Sequence, residues 1–156
     1  MALSCNQLDD FCQKGGTILP LRTAITNRIT PVVVHSRNAE ADCINMLREL
    51  KTRAIMHCFS GTLDEALEAV RLGCLISVPA NVTYAKDRQL LVKALPLKSM
   101  VLETDAPYLS PARGKRNEPA NVKLAAEKVA EIKGLDAAEV GDATTENAVG
   151  FLGIEI

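Results

Sequence analysis

Two histidines and one aspartate are the side chains of this sequence whose types and positions best suit chemistry. His35 and His57 are the only histidines among the 156 residues; each ends or nearly ends an apolar run, and Asp105 follows another such run. In parallel α/β folds, sites assemble where the carboxyl ends of the strands share one rim. Imidazoles and a carboxylate suit Mg²⁺, Mn²⁺ or Zn²⁺, which turns bound water into a nucleophile. We therefore predict a divalent-metal site; the alternative for either histidine alone is a hydrogen-bonded core or surface residue.

The elements that must position these residues are apolar runs alternating with helical patterns. Four runs predict strands, and the three adjacent valines of the first predict a strand buried on both faces. Such alternation is typical of a parallel sheet covered by helices. A whole (β/α)8 barrel takes about 250 residues, so the chain predicts an open doubly wound sheet or part of a barrel. The predicted strands are 31–35, 54–58, 74–78 and 100–103; the predicted helices are 20–26, 38–50, 62–72, 87–95, 120–132 and 144–152.

Local signals predict where the helices begin and end. Thr62 and Glu65 form a T-x-x-E capping box, and Asp136 with Glu139 repeats that pattern. Asn38 is placed to cap the first helix after the 31–35 strand. Glycines stand where helices commonly end, at Gly73 and Gly134.

The stretch from Pro107 to Pro119 reads as a long irregular loop, of the kind that is usually functional or disordered. Its cations, Arg113, Lys115 and Arg116, predict phosphate contacts over the rim. The alternative is a solvated loop in which Glu118 pairs with one of the arginines. Glu103, at the end of the fourth strand, is predicted to support a metal ligand by hydrogen bonding, or else to be an exposed carboxylate.

Composition excludes several classes of function. A net charge of -1 excludes a bulk nucleic-acid or membrane-surface binder held by charge alone. Aromatic residues make up 3% with no Trp, which argues against an extended stacking platform for single strands. No apolar stretch is long enough to span a membrane, and the first residues lack a secretory pattern. Five cysteines without a CxxC pair predict reduced thiols, so we expect a cytoplasmic protein.

Five segments together resemble the TatD family of metal-dependent deoxyribonucleases, which belongs to the amidohydrolase-like hydrolases. They occur in the family's order and spacing, and five in order are far more specific than any one. The resemblance covers about residues 20–156, as one domain, whereas residues 1–19 match poorly. The matching segments are 31–37 (PVVVHSR), 57–61 (HCFSG), 102–109 (LETDAPYL), 113–122 (RGKRNEPANV) and 144–148 (TTENA).

The resemblance implies a (β/α)8 barrel with divalent metals at its carboxyl-end rim, and DNA as the substrate, often cut from the 3′ end. It implies that His35, His57 and Asp105 bind the metal, and that Asp105 also orients or deprotonates the attacking water. Other residues would line the phosphodiester path or support the site. Glu103 and Glu118 would support the site from behind the residues that contact metal or substrate. The lining residues would be Cys58, Phe59, Ser60, Arg113, Lys115, Arg116 and Asn117.

The sequence also departs from the family pattern. The family's first strand ends in His-x-His and its fourth supplies a bridging Glu, and neither is present here. The chain therefore resembles strands five to eight of the barrel, and we expect weak or no nuclease activity from it alone. The alternatives are a half barrel that pairs with a complementary chain or a second copy, a truncated product, and a related hydrolase of small esters or amides.

Overall fold

The computed structural model describes residues 31–155, which fold into a parallel sheet covered by helices. Because the polypeptide alternates strand and helix, each strand is followed by a helix or a long loop before the next begins. In chain order the regular elements are β1 (Val32–His35), α1 (Glu40–Glu49), β2 (Ala54–His57), α2 (Leu63–Arg71), β3 (Leu75–Val78), a 3-10 turn (Ala80–Thr83), α3 (Lys86–Ala94), a second 3-10 turn (Leu97–Ser99), β4 (Met100–Leu102), a third 3-10 turn (Pro119–Asn121), α4 (Val122–Lys133) and α5 (Ala137–Leu152).

The sheet has the strand order β1-β2-β3-β4, and all neighbouring strands run parallel. Val32 pairs with Ala54, and the same register continues to the strand ends, where His35 lies beside His57. The prediction of parallel βα units is confirmed. Each strand is one residue shorter than its predicted range, at one end or the other. Parallel pairing brings all carboxyl ends to one edge, where the candidate site lies.

The main core lies between one face of the sheet and the helices, and a smaller apolar cluster covers part of the other face. In that smaller cluster, Phe151 of α5 is buried with one residue from each of β2, β3 and β4, namely Ile55, Leu75 and Val101. The expectation that the three valines of β1 are buried on both faces is wrong, because Val33 is 60% exposed. β1 is an outer strand of the described sheet, and the Phe151 cluster includes no β1 residue.

The helix-end signals have mixed outcomes. The Thr62–Glu65 capping box is present, and Gly73 and Gly134 take the left-handed conformation after their helices. Asn38 is not the cap, since Ala39 holds that position without a side-chain bond. Asp136 precedes α5 but makes no capping hydrogen bond.

The last helix is longer than predicted, since α5 begins at Ala137 and runs through Gly141. The hydroxyls of Thr144 and Thr145 donate to carbonyls four residues earlier, each at 2.8 Å, which satisfies them inside a continuous helix.

Among residues 31–155, no helix combines the length and hydropathy that crossing a bilayer would require. The helix predicted at 20–26 and the proposed boundary between residues 19 and 20 lie outside the described residues.

Candidate metal centre

Side chains from three strand ends meet at the carboxyl edge of the sheet. His35 and His57 are the last residues of β1 and β2, and their ring centroids are 5.4 Å apart. Asp105 lies three residues beyond β4, and its Oδ1 is 3.4 Å from Nε2 of His57. The structure thus brings together the two imidazoles and the carboxylate that the sequence singles out.

Glu103 lies behind His57 and fixes the orientation of its ring. One carboxylate oxygen of Glu103 pairs with Nδ1 of His57, while the other accepts the backbone N–H of Cys58 at 2.6 Å. Since Nδ1 is engaged, Nε2 is the ring nitrogen turned toward Asp105. A carboxylate that holds the distal nitrogen of a histidine ligand is a common arrangement in metal sites, where it fixes the tautomer and raises ligand basicity.

The electrostatics of this pair favour a proton on His57 in the metal-free chain. The hydrogen bond to Glu103 raises the pKa of His57 despite the opposing effect of burial, and the charges of Glu103 and Asp105 add to the rise. Burial alone would raise the pKa of Glu103, but its hydrogen bond to His57, the charge of His57 and the Cys58 contacts together lower it. Because a metal ligand must be the neutral imidazole, the raised pKa of His57 makes a metal compete with a proton for this ring.

Among the described residues, the ligand atoms that lie within 4.8 Å of one another belong to His57, Cys58 and Glu103, whereas His35 and Asp105 each lie beside His57. However, burial raises the pKa of the Cys58 thiol, helped by the nearby charge of Glu103, so the thiolate that a metal needs is disfavoured. Both oxygens of Glu103 are also engaged in hydrogen bonds. Glu103 therefore suits a supporting position better than a ligand position.

The Asp105 turn is held by a buried amide. Asp105 has a φ of 57°, in the left-handed region that residues other than glycine enter at a cost. Nδ2 of Asn117 donates to the carbonyls of Thr104 at 2.7 Å and Tyr108 at 2.6 Å, on either side of Asp105. Its Oδ1 accepts from the backbone of Glu118 and from the side chain of Asn121. Asn117 thus ties the turn that carries Asp105 to the end of the loop.

The sequence of this chain matches a known protein family over most of its length. The family model described as TatD related DNase matches residues 21–153. The chain belongs to this family. Deoxyribonuclease TATDN3 of Homo sapiens is 43% identical over 120 residues, which are 76% of this chain and 44% of that protein. The uncharacterized metal-dependent hydrolase YabD of Bacillus subtilis is 40% identical over 125 residues, 76% of this chain and 49% of that protein.

Solved structures show the same relationship for this TatD-family chain. The crystal structure of YjjV, a TatD homologue from Escherichia coli, superposes with a TM-score of 0.76 at 28% identity. The match covers 86% of this chain and 54% of that one. The TatD-family chain therefore spans about half the length of the curated relatives it matches.

The cationic loop of this TatD-family chain is anchored at the rim. Oγ1 of Thr83 donates to the Pro111 carbonyl at 2.8 Å, and the Arg113 guanidinium lies 4.6 Å from the centroid of the Tyr84 ring. The cations of the loop, Arg113, Lys115 and Arg116, are exposed. Among the described residues no ion pair joins Glu118 to either arginine, so the cations remain available to an anion.

Three of the other predicted lining residues, Cys58, Phe59 and Asn117, are buried, whereas Ser60 is exposed. The Phe59 ring is 1% exposed, the Cys58 side chain is buried, and the Ser60 hydroxyl donates to Glu40 at 2.7 Å. Asn117 is buried with both side-chain polar atoms bonded within the chain. Motif order alone does not reveal which way a side chain points. Motif order also does not single out Tyr108, which is exposed and whose backbone N–H donates to the Asp105 carbonyl.

Proposed function

We propose that this chain forms part of a metal-dependent hydrolase that cleaves phosphodiester bonds of DNA. The observation that carries the proposal is the convergence of His35, His57 and Asp105 at one sheet edge, with Glu103 fixing the His57 ring. Family membership supports the reaction class, and the exposed cations beside Asp105 favour an anionic substrate.

In this proposal the residues at the rim divide metal binding, proton transfer and substrate binding among them. His35, His57 and Asp105 would hold the divalent cation, which, when bound, supplies Lewis acidity toward a phosphoryl oxygen and lowers the pKa of water. Asp105 also accepts the proton of the attacking water. Glu103 keeps Nε2 of His57 directed at the site, and Arg113, Lys115 and Arg116 offset the charge of the DNA backbone.

The proposed site has few ligands. Two imidazoles and one carboxylate are a sparse set for tight binding, and the His-x-His and bridging Glu that the family resemblance implies are not among these 156 residues. We infer that the chain corresponds to strands five to eight of a (β/α)8 barrel, with residues 20–156 as the barrel part. Alone, it should therefore hydrolyse DNA weakly or not at all.

The experiment measures cleavage of labelled single-stranded DNA with Mg²⁺, Mn²⁺ or Zn²⁺. The nuclease-free chain is assayed alone and after mixing with the separately expressed front half of a TatD relative. We expect cleavage only in the mixture, and its loss with His57→Ala. Robust cleavage by the chain alone, lost with His57→Ala, would refute the inferred impairment. If the halves co-purify without any cleavage, the proposed DNA hydrolysis is wrong.

The polarity of cleavage is a finer part of the proposal. We propose an exonuclease that removes nucleotides from the 3′ end. Strands labelled at the 5′ end should give a ladder of successively shorter products, whereas strands blocked at the 3′ end should persist. Internal cuts in the blocked strand would indicate an endonuclease instead.

A second candidate function is a non-catalytic assembly piece. It is favoured by the described sheet, in which β1 and β4 each pair with one strand only, and by the exposed Val33 on β1. Unpaired strand edges readily pair with another chain. A complementary chain could supply missing ligands, whereas a second copy would only duplicate His35, His57 and Asp105. Light scattering tests this candidate by measuring the molar mass of the chain alone and after mixing with the front half of the TatD relative. A chain that is monomeric alone and does not bind the front half excludes it.

A further inference from the structure

Tyr108 is the most exposed aromatic side chain among residues 31–155. Phe59 and Phe151 are buried, and the Tyr84 ring lies beneath the Arg113 guanidinium, whereas Tyr108 is 60% exposed. Single exposed apolar groups are common on protein surfaces. What distinguishes Tyr108 is therefore its position and not its exposure alone.

The backbone of Tyr108 is fixed on the turn that carries Asp105. Its N–H donates to the Asp105 carbonyl at 2.7 Å, and its own carbonyl accepts from Nδ2 of Asn117 at 2.6 Å. Asn117 is only 2% exposed, so the amide that holds the turn is itself locked in the fold. These bonds fix the backbone of Tyr108 three residues from the candidate catalytic carboxylate, and the two side-chain torsions of its exposed ring cost little to order.

Three cations follow Tyr108 on the same loop. Arg113, Lys115 and Arg116 are exposed on the same loop, which is fastened to the rim through Thr83 and Pro111. Such cations bind the phosphates of DNA whichever nucleobases are attached. They do not fix the orientation of the nucleoside relative to the phosphate. The exposed Tyr108 ring on the same loop offers the complementary contact, because every nucleobase has a face that stacks on an aromatic side chain.

We propose that the Tyr108 ring stacks on one nucleobase of the single-stranded DNA whose phosphodiester faces Asp105. The inference rests on the proposed DNA hydrolysis and adds the group that holds the nucleoside. The low aromatic content excludes an extended stacking platform, but one base needs only one ring. Stacking beside the reacting group would fix the position of the phosphodiester relative to Asp105.

The test compares two fluorescent 12-nucleotide strands in Mn²⁺ by anisotropy. One strand carries thymine throughout and the other is abasic, so they share their phosphates and differ only in bases. Stacking of one base predicts about 5- to 150-fold tighter binding of the thymine strand. Tyr108→Ala should abolish this preference and Tyr108→Phe should retain it, whereas Lys115→Ala should weaken binding of both strands equally. Gels run after each titration verify that the strands are intact.

The outcomes separate the two proposals. Equal binding of both strands by the unmodified chain, or a preference that survives Tyr108→Ala, overturns the stacking role while leaving DNA as a ligand. Binding of neither strand overturns both the stacking role and the proposed substrate.

Intrinsic fluorescence gives an independent measurement on the same ring. The chain contains no Trp and two Tyr residues, so the emission of a Tyr84→Phe chain reports on Tyr108 alone. The thymine strand should quench that emission and the abasic strand should not. Unchanged emission at saturating thymine strand would contradict the proposal even if the strand binds.

Discussion

Glu103 holds His57 by Nδ1, and this contact turns the opposite nitrogen, Nε2, to within 3.4 Å of Oδ1 of Asp105. Glu103 and His57 lie 46 positions apart in sequence, yet the parallel register of β2, β3 and β4 brings them together. The same carboxylate also accepts the N–H of Cys58, so one partly buried side chain fixes both the His57 ring and the backbone that follows it.

Replacing Glu103 by Gln should weaken metal binding without removing a proposed ligand. The amide keeps the size of the side chain but loses the charge that raises the basicity of His57, and supporting groups of this kind typically contribute about 10- to 100-fold in metal affinity. Calorimetric titration with Mn²⁺ measures the change. Glu68→Gln is the control, because Glu68 forms an exposed pair with Arg48. Equal affinity of the Glu103→Gln and unmodified chains would contradict the supporting role.

The same pair predicts a pH window for stability in the metal-free chain. The pKa of Glu103 is lowered in the fold, so its stabilisation is complete above the ordinary glutamate value and is lost as pH falls through the folded pKa. The pKa of His57 is raised, so its stabilisation is complete below about pH 6.5 and is lost as pH rises through the folded value.

The stability difference between the unmodified chain and Glu103→Gln should therefore be largest between about pH 5 and 6.5 and smaller on both sides. Urea unfolding in EDTA across this range measures it. The Glu68→Gln chain should show a much smaller and flatter difference, because its ion pair is exposed to solvent. A difference for Glu103→Gln that does not vary with pH would show that the two residues are not ion-paired.

Much of the framework could be predicted because it depends on local pattern. Short apolar runs separated by helical spacing give parallel strands, and parallel strands of equal length align their last residues, which is why His35 and His57 become neighbours. Asp105 could be assigned to the rim for the same reason. Its contact with His57 could not, because it requires a left-handed backbone at Asp105 that sequence pattern does not encode.

Other features depend on tertiary context. Val33 resembles its neighbours in sequence but lies on an outer strand, so its side chain stays exposed. Phe59 stands in a segment typical of the site, yet its ring packs into the core. The final helix, predicted to begin at residue 144, begins at Ala137, because backbone-bonded hydroxyls and packing against α4 keep α5 continuous through Gly141.

Asn117→Ala should cost both stability and metal affinity. The change leaves the carbonyls of Thr104 and Tyr108 without their donor, and a loss of about 1 to 3 kcal/mol follows from two part-buried hydrogen bonds. A relaxed Asp105 turn should also lower Mn²⁺ affinity by about tenfold.

Asn147→Ala is the matched control, because Asn147 also donates to two carbonyls, those of Leu97 and Met100, at positions away from the Asp105 turn. We expect it to lower stability and to leave Mn²⁺ affinity unchanged. If both variants reduce the affinity equally, the effect of Asn117 is one of general stability only.

Gly61→Ala should destabilise the segment that follows His57. A Cβ at Gly61 would lie 2.7 Å from Oε2 of Glu65 and 2.7 Å from the Phe59 ring, and Glu65 cannot move without breaking the capping box with Thr62. Overpacking of this kind typically costs about 1 to 3 kcal/mol.

Gly141→Ala is the control, since nothing lies within 4 Å of the Cβ that the substitution would add and the residue is inside α5. It should stabilise the chain by up to about 1 kcal/mol. Urea unfolding of both variants checks the prediction, and an unchanged free energy of unfolding for Gly61→Ala would show that the segment relaxes at no cost.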